Sequence, residues 1–85
     1  MNSNKQNLIN KIKYRSQYRG TKEMDLFVNS FVNCIINDLN LNELKDLSKL
    51  INLNDEELLK VANNKSKINI NMKVLNLLIN FKKKY

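Results

Sequence analysis

The sequence predicts an all-α fold, a compact bundle of five short helices, and three observations support that prediction. Apolar residues recur at the three- and four-residue spacing of one helix face along most of the chain. No segment shows the strict alternation of apolar and polar residues that is typical of a strand. Short polar residues with an acid three positions later precede two of the apolar stretches, as at helix starts. At 85 residues the chain is long enough for one thin core, so we expect a single helical domain over residues 1–85.

The first two helices are predicted on either side of Gly20, the only glycine in a chain without proline. Leu8 and Ile12 mark a short helix from about residue 4 to residue 17. Gly20 follows as a left-handed residue that caps this helix, because glycine tolerates positive φ without steric cost. The second helix starts after Thr21, its expected N-cap, and runs for about four to five turns. Its apolar stripe consists of Phe27, Val28, Phe31, Val32, Ile35, Ile36 and Leu39.

Three further helices are predicted in the second half of the chain. Two of them open with a capping box, in which an asparagine caps the helix and a glutamate three residues later reciprocates, at Asn40–Glu43 and at Asn54–Glu57. A polar loop over residues 63–67 precedes the last helix. The apolar residues assigned to these helices are Leu41, Leu44, Leu47, Leu50 and Ile51, then Leu58, Leu59, Val61 and Ala62, and finally Ile70, Val74, Leu75, Leu77, Leu78 and Phe81.

The net charge of +7 is unevenly distributed along the chain. Residues 1–22 contain no acid, all eight acids lie within residues 23–57, and every charged residue from Lys60 onward is basic. This layout predicts a polarised surface and a preference for acidic partners. The run Lys82–Lys84 complements the C-terminal dipole of the last helix, and we expect it to be a solvated tail.

The composition argues against the common enzyme chemistries. Without histidine and with one cysteine, the chain cannot assemble the usual nucleophile–base pairs or nitrogen and sulfur metal sites. A single glycine rules out a glycine-rich phosphate loop, and no apolar run approaches the roughly 18 residues of a membrane span. We therefore expect no enzymatic activity, no metal, no cofactor held by the chain itself and no membrane insertion. Cys34, beside the apolar stripe of the second helix, is expected to be a small buried core residue.

The stretch "YRGTKEMD" at residues 18–25 has two interpretations. In the first it only separates two helices: Gly20 ends one, Thr21 caps the next, and Glu23 complements the dipole at its start. In the second, residues 18–25 form a corner between the two helices, and this corner is also a docking surface. Arg19 offers a planar guanidinium fork, and a residue without Cβ lets a partner's backbone approach closely. Capping alone gives Arg19 no role, which favours the second interpretation.

This stretch and the helices around it resemble the SdhE-type flavinylation factors, also called succinate dehydrogenase assembly factor 2. Members of that family carry an Arg-Gly-x-x-Glu core, which this sequence matches at Arg19, Gly20 and Glu23. The long second helix, the stretch "LNELKDLSKLINLNDEELLK" and a final apolar helix occur in similar order and spacing. The resemblance covers roughly residues 11–81.

The sequence departs from the family pattern in four places. Tyr18 stands where a second arginine is frequent, and Thr21 stands where methionine is usual. Val61 occupies a place where many members have tryptophan, and the proline often found soon afterwards is missing. The first two departures affect contacts with a client, whereas the other two affect core packing and the entry to the last helix.

The resemblance implies a non-catalytic five-helix bundle that binds the flavoprotein subunit of succinate dehydrogenase, or of fumarate reductase in some bacteria. Factors of this kind promote covalent attachment of FAD to a histidine of the client, so the flavin belongs to the client rather than to this chain. We expect a bacterial cytoplasmic protein that is monomeric when free. The residues expected to contact the client are Arg15, Tyr18, Arg19, Gly20, Glu23 and Asp25.

The alternative is a small basic helical protein that binds nucleic acid or acts as a regulatory interaction module. The net charge and the short helices, which could include a helix-turn-helix, favour it. Against it, the basic residues lie in separate N- and C-terminal blocks, and no helix is rich in the Arg, Asn and Gln of a recognition helix. We therefore expect no nucleic-acid partner.

Overall fold

The computed structural model describes residues 3–17 and 20–84, which form five α-helices and no strand. A 3-10 turn, Ile36–Asp38, extends the second helix. The prediction of an all-α bundle is confirmed, and the radius of gyration of 12.0 Å matches the roughly 12 Å expected for a compact chain of this length. The helices are α1 (Ser3–Ser16), α2 (Lys22–Ile35), α3 (Leu41–Ile51), α4 (Asp55–Ala62) and α5 (Met72–Lys84).

Helix α2 supplies much of the core because its apolar stripe faces inward along its whole length. Its buried side chains include the predicted Phe27, Val28, Phe31, Val32 and Ile35. Helix α1 packs against α2 and α3, while α5 packs against α2, α3 and α4. The core is completed by Ile9 and Ile12 of α1, Ile36 and Leu39 at the 3-10 turn, Leu44, Leu47, Leu50 and Ile51 of α3, Leu58, Val61 and Ala62 of α4, and Val74 and Leu78 of α5.

Aromatic contacts fix the far end of α5 against α2. The ring of Phe81 lies 5.8 Å from that of Phe27 and 5.5 Å from that of Phe31, both in tilted arrangements. Such tilted pairs stabilise a packed interface beyond the area that they bury. The last turns of α5 are therefore part of the bundle and not a detached tail.

Both predicted N-caps of the second half are present, but only one capping box is complete. Glu43 N–H donates to Asn40 Oδ1 at 2.9 Å, and Asn40 N–H donates to Glu43 Oε1 at 2.9 Å. At the start of α4 the Asn54 side chain accepts from Glu57 N–H at 2.8 Å. The Glu57 carboxylate instead accepts from Ser66 Oγ at 2.9 Å, because the loop after α4 brings that hydroxyl within reach. The prediction of a second capping box is therefore confirmed for the Asn54 cap and wrong for the reciprocal bond from Glu57.

A Schellman turn, which the sequence analysis did not predict, ends α4. Asn64 adopts φ of 60° and its N–H donates to Val61 O at 3.0 Å, while Lys65 N–H donates to Lys60 O at 2.7 Å. These two bonds satisfy carbonyls that the end of a helix would otherwise leave without partners.

The loop that follows is longer than predicted, because the final helix begins at Met72 and leaves Ile70 outside it. The reason is a cap at Asn71, whose side chain accepts from Lys73 N–H at 2.7 Å. Asn71 N–H in turn donates to Asp46 Oδ2 at 2.9 Å, which ties the start of α5 to α3.

The prediction that Cys34 is buried is wrong. Its side chain is exposed, since position 34 lies off the inward stripe formed by Phe31, Val32 and Ile35. The geometric reason is that a helix residue next to a buried one is rotated by about 100° around the axis.

Within the described residues, no helix is both long enough and apolar enough to cross a membrane.

Candidate partner-docking site

The corner between α1 and α2 is built around the entry to α2. Thr21 has extended backbone angles, φ −123° and ψ 149°, and its hydroxyl oxygen accepts from Met24 N–H at 3.2 Å, as predicted for the N-cap. Gly20 adopts φ of +113°, a conformation that strongly favours glycine. Gly20 comes four residues after Ser16, the last residue of α1, and directly before Thr21. Its positive φ is therefore confirmed, but it shapes the start of α2 rather than capping the end of α1.

The space around Gly20 is open. Apart from Gly20 itself and its chain neighbours, no atom of the described residues lies within 4 Å of a Cβ placed on its backbone, and the residue is exposed. The fold therefore requires glycine here for its backbone angle and not for close packing within the chain. The same open space leaves this part of the backbone accessible to a partner.

The two acids predicted for the site lie on different flanks of α2. Glu23 and Asp25 both fall in the first turn, where they complement the helix dipole. Residues two apart on a helix do not face each other. Glu23 is exposed and Asp25 is partly buried, so Glu23 is the acid more accessible to a partner.

The remaining predicted site residues are Arg15, Tyr18 and Arg19. Arg15 is exposed in the last turn of α1, where its charge complements the helix dipole. Tyr18 and Arg19 lie outside the residues that the structure describes. Their place in the docking surface remains a prediction from the sequence.

Two exposed apolar side chains near the corner were not predicted as site residues. Tyr14 is 66% exposed on the last turn of α1, and Leu26 is 52% exposed on α2, one turn after Glu23. The sequence contained a signal for Leu26, since it falls outside the stripe set by Phe27, Val28 and Phe31. Each is a single exposed apolar side chain, of a kind that is common on the surfaces of folded proteins.

A buried serine holds the corner to the rest of the bundle. Ser16, fully buried at the end of α1, donates from Oγ to Lys13 O at 2.8 Å and lies 3.4 Å from Asn29 Oδ1 of α2. Asn29 Oδ1 also accepts from Asn33 Nδ2 at 3.3 Å. These contacts fix where α1 ends relative to α2, and the apolar pattern of the sequence did not reveal them.

Comparison with known protein families matches residues 10–82 to Sdh5, described as the flavinator of succinate dehydrogenase. The match includes the corner, all of α2, α3 and α4, and most of α5. The chain belongs to the Sdh5 family. This confirms the resemblance to the SdhE-type assembly factors of succinate dehydrogenase. Comparisons with curated proteins and with solved structures give no significant match.

The Sdh5 family is described by its action as a flavinator of succinate dehydrogenase, which is consistent with a role as an assembly factor. In the described part of this family member, no group of three or more His, Cys, Asp and Glu side chains could hold a metal ion. The expectation that the chain has no enzymatic activity of its own stays a prediction.

The most buried carboxylate of this Sdh5-family bundle has a structural role away from the corner. Glu43 accepts the N–H of Asn40 at 2.9 Å, and its Oε2 lies 3.3 Å from Lys73 Nζ of α5. The backbone hydrogen bond from Asn40 is the largest cause that lowers the pKa of the Glu43 carboxyl below its ordinary value, and Lys73 lowers that pKa further. Burial opposes this by raising the pKa, but less strongly. Glu43 thus joins the start of α3 to α5.

Proposed function

We propose that this protein binds the flavoprotein subunit of succinate dehydrogenase through its α1–α2 corner and promotes covalent attachment of FAD to that subunit. The observation that supports this most directly is the Sdh5 family match over residues 10–82, which contains the whole corner. The open backbone at Gly20 and the exposed Glu23 give that corner groups a protein partner can contact.

Each part of the corner has a physical use in docking. Gly20 has no side chain of its own, so a partner's backbone can approach its backbone closely. The exposed Glu23 carboxylate can accept hydrogen bonds from N–H groups of the partner. Arg15 and Arg19 supply positive charge, and Arg19 can form a two-pronged contact with a carboxylate or with carbonyls.

The role of this protein in flavinylation is conformational. Its chain contains no histidine, so the histidine that becomes bonded to the flavin belongs to the client. A factor that binds one client conformation more tightly than the others raises the population of that conformation. We propose that the stabilised conformation is the one in which the client's histidine lies against FAD.

Co-expression with the cognate flavoprotein subunit tests the proposal. Covalently bound FAD is read as flavin fluorescence of the denatured subunit on a gel. We expect Arg19→Ala, Gly20→Arg and Glu23→Ala to reduce it strongly, because each removes or blocks a docking group. Glu56→Ala is a matched control, since Glu56 is an exposed acid on α4. If all three corner variants fold and leave the covalent FAD unchanged, the proposal is wrong.

Gly20 allows steric blocking to be separated from backbone strain. Gly20→Ala and Gly20→Arg impose similar strain at φ of +113°, but only arginine adds a long side chain to the open space. We expect Gly20→Arg to reduce flavinylation and subunit binding well below Gly20→Ala at equal folded fraction. Equal effects at equal folded fraction would show that the open space at Gly20 is not used by a partner.

A further inference from the structure

Two recesses flank the last turns of α5, at a distance from the corner. The first is a mostly apolar groove of about 330 Å³ between the end of α2 and α5, lined by Cys34, Ile35, Leu77, Asn80, Phe81 and Lys84. Cys34 lies 12 residues beyond the start of α2, which corresponds to about 18 Å along the helix axis. This groove is therefore a separate surface from the α1–α2 corner.

The second recess lies on the other side of α5, against the end of α4. It measures about 310 Å³ and is lined by Ala62, Asn63, Asn64, Ile79, Lys82 and Lys83. The Schellman turn at Asn64 shapes it, and that turn already satisfies carbonyls at the end of α4. The polar groups offered by its side chains are the two asparagine amides and the two ammonium groups.

Charge complementarity defines what this end of the molecule can bind. All three lysines of residues 82–84 line one recess or the other, and the lining of neither recess contains an acid. The helix dipole accounts for the sign of these charges, but not for their position at the edges of two cavities. Each recess has the size of one or two side chains, which suits a protein segment better than a nucleic-acid duplex, whose phosphates are bound over a continuous surface.

We propose that this end surface, formed by the two recesses and the lysines at 82–84, binds an acidic amphipathic segment of a partner protein. An apolar side chain of the segment enters the groove beside Phe81 and Leu77. Its carboxylates pair with the lysines at 82–84, which are distributed around the last turn of α5 at the edges of the two recesses. This surface is distinct from the corner and does not depend on the proposed function.

A synthetic peptide is the probe for the test. It is an amidated peptide of about 14 residues, with leucines at helical spacing on one face and glutamates elsewhere. Binding is measured by titration into the 15N-labelled protein, and the resonances that shift map the contact. We expect shifts at Leu77, Asn80 and residues 82–84, and we expect the peptide to slow alkylation of Cys34 by neutral iodoacetamide.

Matched variants distinguish a specific effect of the end-surface lysines on peptide binding from a general effect of the net charge. Lys82→Gln, Lys83→Gln and Lys84→Gln combined should weaken binding roughly fivefold to tenfold. The combination Lys11→Gln, Lys45→Gln and Lys49→Gln removes the same charge from exposed positions elsewhere and should weaken it less than twofold. Equal weakening by the two combinations overturns the proposal.

The apolar groove has its own pair of variants. Cys34→Trp fills the groove from an exposed position and should abolish the shifts at Leu77 and Asn80, whereas Ser30→Trp at another exposed position of α2 should not. The proposal is wrong if the peptide does not bind at all. It is also wrong if a DNA duplex titrated into the 15N-labelled protein produces the same shifts at lower concentration than the peptide does.

Discussion

Gly20 and Asn64 adopt positive φ; Gly20 lies just before the N-cap of α2, and Asn64 lies just after the end of α4. An L-residue with a Cβ pays a steric cost in this region, which glycine avoids and asparagine partly offsets by local hydrogen bonding. Gly20 could be recognised from the sequence because the chain contains no other glycine. Asn64 could not, since the sequence is rich in asparagine and most of these residues lie at ordinary surface positions.

Substitution of Gly20 by alanine tests the backbone role of this residue. We expect Gly20→Ala to lower the free energy of unfolding by about 1–2 kcal/mol, the cost of placing a Cβ at positive φ. Urea unfolding followed by circular dichroism measures it. Ser30→Ala on the exposed side of α2 is the control and should change stability by less than about 0.5 kcal/mol. Wild-type stability in Gly20→Ala would contradict the assigned backbone angle.

The Schellman turn at Asn64 gives a second prediction at this scale. Asn64→Ala should destabilise the protein by about 1 kcal/mol, whereas Asn64→Gly should be neutral or stabilising, because glycine is the preferred residue at this position. The measurement is the midpoint of urea unfolding, with Asn63→Ala as the neighbouring control. Equal midpoints for Asn64→Ala and Asn64→Gly would show that φ at this residue does not limit stability.

At the scale of helices, the connections depend on polar contacts between elements. Asp46 of α3 holds the start of α5 through Asn71 N–H at 2.9 Å, and Ser16 of α1 lies 3.4 Å from Asn29 of α2. Glu43 makes one contact within its own helix and one between helices. It completes the capping box of α3, and it pairs with Lys73 of α5. Local sequence predicted the box, but it could not predict that a lysine 30 residues later would reach the same carboxylate.

The lowered pKa of Glu43 predicts a pH dependence of stability. A carboxyl whose folded-state pKa is below its ordinary value of 4.5 stabilises the fold fully above that value. This contribution is lost as the pH falls from 4.5 through the folded-state pKa, because the unfolded chain then binds the proton more readily. We expect Glu43→Gln to remove part of the loss of stability that the wild type shows on acidification over this range.

Urea unfolding at a series of pH values measures this effect. Glu56→Gln is the control, because Glu56 is exposed and its contact with Lys60 at 3.6 Å lies on the surface. Its stability should follow the wild-type pH curve. Parallel curves for the wild type and Glu43→Gln would show that the Asn40 and Lys73 contacts do not favour the ionised form.

At the scale of the whole molecule, the basic residues of the two ends of the chain are carried by different helices. Helix α1 lies against α2 and α3, whereas α5 lies against α2, α3 and α4. A duplex is bound through many phosphates at once, which requires a continuous basic surface. A high net charge divided in this way suits separate contacts with acidic protein surfaces better.

This division of charge predicts weak binding to nucleic acid. We expect a random DNA duplex to show no gel shift at about 0.15 M salt, although the net charge of +7 can support loose association at low salt. A shift that persists at this salt concentration and falls steeply as salt rises would favour the nucleic-acid alternative.

Gel filtration with light scattering tests the expectation of a monomer, because the measured mass can be compared with the chain mass of 10.0 kDa.

The sequence by itself determined the all-α class, the inward stripe of α2, the caps at Thr21, Asn40 and Asn54, and the resemblance that the Sdh5 match confirms. These features depend on residues close together in the chain, whose spacing directly reflects the helix period. Only the tertiary structure decided that Cys34 is exposed, that Glu57 bonds Ser66, and that recesses flank α5. Such features depend on which helix lies next to which face, and spacing along the chain does not determine that.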